Sequence, residues 1–205
     1  MRIVCFSDTH GYHEKVEIPD GDILIHAGDF SRRGSTSEQE VFDVYLGGLP
    51  HTHKIVIAGN HDWSLEDVDD PESRFHNAAY LQDSSITIDG VKFYGAPWQP
   101  EFYNWAFNLP RGEPLREKWS QIPNDTDVLI THGPPHGVLD RVSRGERVGC
   151  EDLLEAVQRV QPQLHVFGHI HEDYGQVERG GTVFVNPSTC NAVYRPVNPC
   201  VVVDI

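Results

Sequence analysis

Basic residues are scarce. The 205-residue chain carries 16 Lys and Arg against 31 Asp and Glu, a formal net charge of −15 at pH 7. A broad basic footprint for long nucleic acid is therefore excluded, and attraction to an anionic membrane surface is not expected. Long apolar runs are also missing. No stretch approaches the ~20 residues that cross a bilayer, and the opening MRIVCFSDTHG turns polar too soon for a secretory leader. Cysteines are few, at positions 5, 150, 190 and 200, with no C-x-x-C pair. That argues against a disulfide framework and against a thiolate metal site, and Cys5, Cys150, Cys190 and Cys200 read as reduced thiols of a cytoplasmic protein. No repeat, linker or low-complexity segment divides the chain, so one domain over 1–205 is expected.

What is present is a series of short Val- and Ile-rich runs, each ending in a polar turn beside a glycine. RIVCF (2–6) leads to Ser7-Asp8-Thr9-His10-Gly11, and DILIHA (22–27) to Gly28-Asp29. KIVIA (54–58) leads to Gly59-Asn60-His61-Asp62, DVLI (127–130) to Thr131-His132-Gly133, and LHVF (164–167) to Gly168-His169-Ile170-His171. Runs of this kind are strands buried on both faces. Apolar spacing predicts a helix from Ser37 to Leu49, opened by Ser37 and Glu40 as a capping box and burying Val41, Phe42, Tyr45, Leu46 and Leu49. Others are expected over Glu151–Val160 and about 114–122. Residues 86–96 read as a hairpin turning at Asp89-Gly90, residues 174–186 as another turning at Gly180-Gly181, and 200–205 as a closing strand. Strands alternating with helices early and hairpins late give an α/β sandwich of two mixed sheets with helices outside. The aromatic, proline-punctuated stretch 97–112 is expected to be a long loop over one end of the sheets.

The five strand ends deliver metal-competent side chains: Asp8 and His10, Asp29, Asn60 with His61, His132, and His169 with His171. In open α/β sheets such ends converge, so distant residues meet there. Leaving His61 aside, seven donors are too many for one transition ion with an open position. They suit two ions sharing one carboxylate. Imidazole mixed with hard oxygen favours manganese, iron, zinc or nickel over calcium. Two such ions clamp an in-line displacement at phosphorus and acidify a bound water. They would also make the pocket locally positive on an acidic protein. His61 adjoins Asn60 but diverges from it. It is therefore free to act as a general acid, with Asp62 or another carboxylate to orient it.

The blocks SDTH, GD, GNHD, THG and GHIH, in this order, resemble the calcineurin-like metallophosphoesterases. PWQPEF, NWAFNLPRG, LITHGPPHGVLD and NPSTC extend the resemblance to the small MPPED-type, class III phosphodiesterase-like branch. The resemblance implies a four-layer α/β/β/α sandwich. It implies one ion on Asp8, His10, Asp29 and His171 and a second on Asp29, Asn60, His132 and His169, with Asp29 bridging. It also implies that His61 protonates the leaving group. The first histidine of GHIH, His169, is in place. GDFSRRG departs from the GDxxDRG of the protein phosphatases, because Arg32 stands where their aspartate would, which disfavours a protein-phosphatase reading. Arg33 keeps the position of their arginine and reads either as a phosphate contact or as a solvated surface residue.

His26 and His165 fall in strands and are expected as satisfied core residues, His51, His53 and His76 on the surface, and His13 and His136 at the rim of the site. Trp98, Phe102, Tyr103, Trp105 and Phe107 either stack a nucleobase or, for most of them, pack a loop core. Glu172-Asp173 and the run 66–70 read as solvated faces. The expected function is a metal-dependent phosphodiesterase acting on a small organic or cyclic nucleotide ester. A phosphomonoesterase and a non-catalytic metal- or nucleotide-binding scaffold stand as alternatives.

Overall fold

The strand-forming runs sit where β-branched residues alternate between two apolar faces. The computed structural model describes residues 1–205. Its strands are β1 (Arg2–Phe6), β2 (Ile23–Ala27), β3 (His53–Ile57), β4 (Ala79–Tyr80), β5 (Ser84–Ile88), β6 (Val91–Ala96), β7 (Gln99–Pro100), β8 (Asn108–Leu109), β9 (Val128–Thr131), β10 (Leu164–Val166), β11 (Gly175–Arg179), β12 (Thr182–Asn186) and β13 (Val201–Asp204). Its α-helices are α1 (Thr36–Gly47), α2 (Glu113–Ser120) and α3 (Glu151–Val160).

One sheet runs in the order β13-β1-β2-β3-β4, parallel except for β13 at the edge. The other runs β11-β12-β10-β9-β6-β5, with four parallel inner strands and an antiparallel strand at each edge. The two outer hairpins turn where the sequence marks them. Asp89 and Gly90 both take positive φ, 51° and 84°, as a type I′ turn requires.

Strand residues of alternating parity meet different partners. Ile3, Ile25 and Ile57 face Phe93, Ile130 and Val166 between the sheets. Val4, Leu24 and Val56 face Phe42 and Leu46 of α1. Leu129 and Phe184 face Trp119 of α2 and Leu153 of α3. The layers are thus α/β/β/α. Each such side chain, fully buried, stabilises the fold by about 1.5–3 kcal/mol. An exposed ion pair such as Arg2–Asp204 contributes about 0–1 kcal/mol, so apolar packing positions the loops of the site.

Helix α1 begins earlier than the spacing predicts. Ser35, not Ser37, is the N-cap, in a capping box with Glu38. The Glu38 carboxylate also accepts the N–H groups of Arg32 and Arg33, which fixes the start. The buried face is correspondingly Gln39, Phe42, Asp43 and Leu46, while Val41 is 57% exposed. The stretch 97–112 is less loop-like than expected, because β7 and β8 pair within it. His51 is buried rather than on the surface, its Nε2 3.0 Å from the Pro19 carbonyl. His26 and His165 are fully buried, as expected. All four cysteines are free, and no helix is long and apolar enough to cross a membrane.

Candidate metal centre

The parallel strands β1, β2, β3, β9 and β10 all release their chains at one end of the sandwich, and the residues that follow them converge. Cross-strand hydrogen bonds lock the turns together: Asp8 N–H donates to Gly28 O at 3.0 Å, and Gly168 N–H to His132 O at 2.8 Å. The turns are tight enough that four donors adopt left-handed backbone: Asp8 (φ 52°), His10 (43°), Asp29 (59°) and His169 (69°). Such conformations are costly for non-glycine residues and gather at functional sites. A Cβ at Gly168 would run into the Asp8 carboxylate and the Ser7 side chain, so only glycine lets β10 pass the end of β1.

All seven expected donors are drawn together. His10 Nε2 and His171 Nε2 lie 3.2 Å apart, and His171 Nε2 is 3.2 Å from Asp8 Oδ1. Asp29 Oδ2 faces two histidines at once, at 3.8 Å from His10 Nε2 and 3.5 Å from His132 Nε2. His132 Nε2 is 3.0 Å from Asn60 Oδ1. The His169 ring lies 5.1 Å from the His132 ring, centroid to centroid. Donor atoms of Asp8, His10 and His171, and of Asp8, Asp29 and His132, form two groups whose members all lie within 4.8 Å of one another.

The far nitrogens of the rings tell which atom faces inward. His132 Nδ1 is 2.9 Å from Ala27 O, and His171 Nδ1 is 3.1 Å from Asn191 O. A carbonyl can only accept, so both Nδ1 atoms carry hydrogen and both Nε2 atoms point at carboxylates and at other donors. Ligating atoms converging in this way make a candidate cation site, and this outer-ring hydrogen bonding is how metal-ligating histidines are held. Asp8 is held likewise. Its Oδ2 accepts from Ser7 Oγ at 2.5 Å and Ser188 Oγ at 2.8 Å, which leaves Oδ1 turned to His171. The donor set fits two transition ions.

Protonation is consistent with that fit. Burial pushes His10 down to about 4 and His169 down to about 3, so both are neutral donors at pH 7. Burial opposes charge on His132, but Asp29 overrides it and holds the pKa at about 9. Burial likewise opposes charge on His171, and the hydrogen bond and charge of Asp8 raise it. A divalent cation bound at these ring nitrogens would take the place of a proton there.

His61 lies 4.6 Å from His10, ring to ring, and a ring nitrogen falls within 4.8 Å of donor atoms of His10 and Asp29. The expectation that Asp62 orients it is overturned. His61 Nδ1 donates to the Arg32 carbonyl at 3.0 Å. The Asp62 carboxylate turns away and accepts from Asp29 N at 2.8 Å, Gly59 N at 2.8 Å and both Ser31 N and Oγ. Adjacent side chains diverge, and the strand end needs its main-chain donors satisfied more than the imidazole does. Glu66 is not merely solvated, because its carboxylate accepts Phe107 N–H at 2.6 Å. Glu172 and Asp173 hold the 141–143 backbone through Ser143 N and Arg141 N. Arg33 is exposed at the surface, away from the cavity lining.

A cavity of about 500 Å³ opens over Asp29, Asn60, His61, His169 and His171. Its walls are partly aromatic: Phe102, Tyr103, Trp105 and Tyr194. The sequence pattern does not single out Tyr194, Ser188, Asn191 or the carbonyl of Arg32. Only NPSTC, quoted without a role, touches that region.

Residues 1–173 match the family described as Calcineurin-like phosphoesterase. The chain is 49% identical over 230 residues to human metallophosphoesterase domain-containing protein 1, covering 100% of this chain and 71% of that protein. It is 28% identical over 183 residues to the Nostoc protein called 3',5'-cyclic-nucleotide phosphodiesterase alr5338, covering 84% of this chain and 64% of the other. Among solved structures, TT1561 of Thermus thermophilus superposes with a TM-score of 0.62 at 16% identity, over 91% of this chain and 88% of that one, which shows a shared fold.

Proposed function

The chain belongs to the calcineurin-like phosphoesterase family, and from that premise we propose that it is a metal-dependent phosphodiesterase acting on small organic or cyclic nucleotide esters. The observation that carries this reading is Asp29 Oδ2, one carboxylate oxygen placed between His10 and His132. Two divalent ions, manganese first with iron, zinc or nickel as alternatives, would supply charge for a phosphoryl group and an acidified water there. Asp8, His10, Asp29 and His171 would hold one, and Asp29, Asn60, His132 and His169 the other. Asn60 presents a neutral oxygen, which keeps the pocket from collecting a third negative charge. His61, tethered through Nδ1 to Arg32 O, offers Nε2 as the atom that hands a proton to the leaving oxygen.

The charge at the cavity wall supports reading the substrate as a monoanionic diester over a dianionic monoester. Its two arginines are already paired, Arg111 with Glu151 and Arg144 with Glu146. Glu101 and Glu172 at the wall add negative charge. A second phosphate charge would find no free arginine or lysine to meet it. The name of the Nostoc relative supports cyclic nucleotides as one diester class to test.

The test is turnover of bis-p-nitrophenyl phosphate and p-nitrophenyl phosphate with added manganese, iron, zinc or nickel, beside Asp29→Ala. Diester turnover lost in the variant is the expected result. Faster monoester turnover would point to a phosphomonoesterase. Metal binding with no turnover of either ester would point to a scaffold.

A further inference from the structure

The family motifs account for the metal donors but not for the residue that covers His61. Trp105 lies in the segment between β7 and β8, and its ring stacks on His61 with centroids 4.4 Å apart and planes 27° apart. Both rings line the cavity. The stack is built in from three directions. Beside it, Ala106 N–H donates to Asn60 O at 3.3 Å. One residue further, Phe107 N–H donates to Glu66 Oε1 at 2.6 Å. Trp63 backs the indole, 6.5 Å away and tilted 34°. The aromatic segment is thus fastened to the very turn that carries Asn60 and His61.

A single hydrogen bond at Nδ1 leaves an imidazole free to tilt about that bond. The Arg32 carbonyl fixes the His61 ring at one nitrogen, and His10 meets it at 73° on another side. The indole covers one face of the ring. We propose that Trp105 is a positioning residue that holds the His61 ring with Nε2 aimed at the leaving oxygen. It rests on the hydrolase reading above. In that step a water oxygen gives up a proton and bonds to phosphorus, the bond from phosphorus to the leaving oxygen breaks, its electron pair stays on that oxygen, and the oxygen takes the proton from His61 Nε2. A group misplaced by about 1 Å costs on the order of 10²-fold in rate.

A positioning role predicts a dependence on the leaving group. A p-nitrophenolate departs with little help from a proton, whereas a phenolate needs it more. The experiment compares the p-nitrophenyl and phenyl esters of thymidine 5'-phosphate on the manganese-loaded full chain. Trp105→Leu is expected to lower kcat by about 10-fold or more on the phenyl ester and about 3-fold or less on the p-nitrophenyl ester, the span that follows from a general acid worth about 10²–10⁴-fold. KM is expected to change little, and Trp105→Phe is expected to restore most of the rate. In a His61→Ala background Trp105→Leu should cost nothing further, because one acts through the other. Trp105 is only half-buried, and Trp105→Phe provides a reading if the leucine variant folds poorly. Equal losses on both esters, a change confined to KM, or an added loss in His61→Ala would overturn the role of Trp105 alone. A wild-type chain inert on both esters with every metal overturns the hydrolase reading, and this one with it.

Discussion

The Asp62 carboxylate accepts the main-chain N–H of Asp29 at 2.8 Å, across two different strand ends. Asp62 is fully buried and also gathers Gly59 N and Ser31 N. It therefore ties the turn after β2 to the turn after β3, and those turns carry Asp29, Asn60 and His61. Burial and the neighbouring Asp29 charge push its pKa up to about 7, against the pull of its hydrogen bonds. A carboxylate kept in spite of that cost has a structural task.

Replacing Asp62 by Ala leaves three buried N–H donors without their acceptor. Each unsatisfied donor costs about 1–3 kcal/mol, so Asp62→Ala is expected to lose about 3 kcal/mol or more of unfolding free energy in urea. Its manganese affinity, measured by calorimetry, should fall about 10–100-fold, as when the groups supporting metal ligands are removed. Asp62→Asn keeps one acceptor oxygen and should lose less of both. Equal manganese affinity in wild type and Asp62→Ala would show that the turns hold their places without it.

Removing Asp29 tests the centre itself. Its Oδ2 lies near both His10 and His132 Nε2, where the proposed function has it shared by two ions, and its Oδ1 accepts His61 N–H at 2.7 Å. Asp29→Ala should therefore lose turnover by more than about 100-fold, beyond the effect of a supporting residue. Elemental analysis should find fewer than two ions per chain. Retention of full activity would leave the bridging role without foundation.

Sequence reading goes furthest where chemistry is carried by residue type at a strand end. Asp8, His10, Asp29, Asn60, His132, His169 and His171 are all legible, because each follows a Val/Ile run and a glycine or polar turn, and parallel strands must deliver such residues to one place. It stops where the partner is a main-chain atom. Nothing in the letters says that Arg32 supplies His61 with a carbonyl, or that Asn191 supplies His171 with one. The same limit misplaces Asp62, whose partners are three main-chain N–H groups and the Ser31 hydroxyl. Helix α1 is legible with a shifted start, since Ser35-Glu38 and Ser37-Glu40 both fit a capping box, and the Glu38 contacts to Arg32 and Arg33 that decide between them are tertiary. The half-buried placement of Trp105 is not legible either, because an aromatic segment packs inward or lines a cavity with the same composition.

Gly168 supplies a second test of the cation site nearest Asp8. A methyl group there meets the Asp8 carboxylate and Ser7. Overpacking of this kind costs about 1–3 kcal/mol, so Gly168→Ala should still fold. The displaced Asp8 should weaken the site shared with His10 and His171, and the disturbance should reach the other site through His169, which follows Gly168 and donates its N–H to the Asp8 carboxylate. Fewer than two tightly held ions per chain is the expected elemental analysis; two would show that β10 can shift to admit the methyl.

The buried histidines outside the centre set a stability dependence on pH. His165 is wholly buried, its Nε2 2.8 Å from Thr131 Oγ1, and Thr131 Oγ1 already donates to Gly133 O. The histidine is therefore the donor in that bond. Burial pushes its pKa down to about 3, whereas an unfolded histidine titrates near 6.5. Between these values the unfolded chain binds the extra proton, so stability is fully present above about pH 6.5 and is lost as pH falls toward 3. From pH 7.5 to 5.5 one such group removes about 1.4 kcal/mol. His165→Gln keeps an N–H donor and has no titration in this window. Urea unfolding of the metal-free protein at the two pH values should therefore show wild type losing about 1.4 kcal/mol more than His165→Gln. His26, pushed by burial to about 3 as well, titrates equally in both proteins and cancels. Equal losses in wild type and variant would mean that His165 takes up its proton in the folded protein, and that its burial is less complete than its packing indicates.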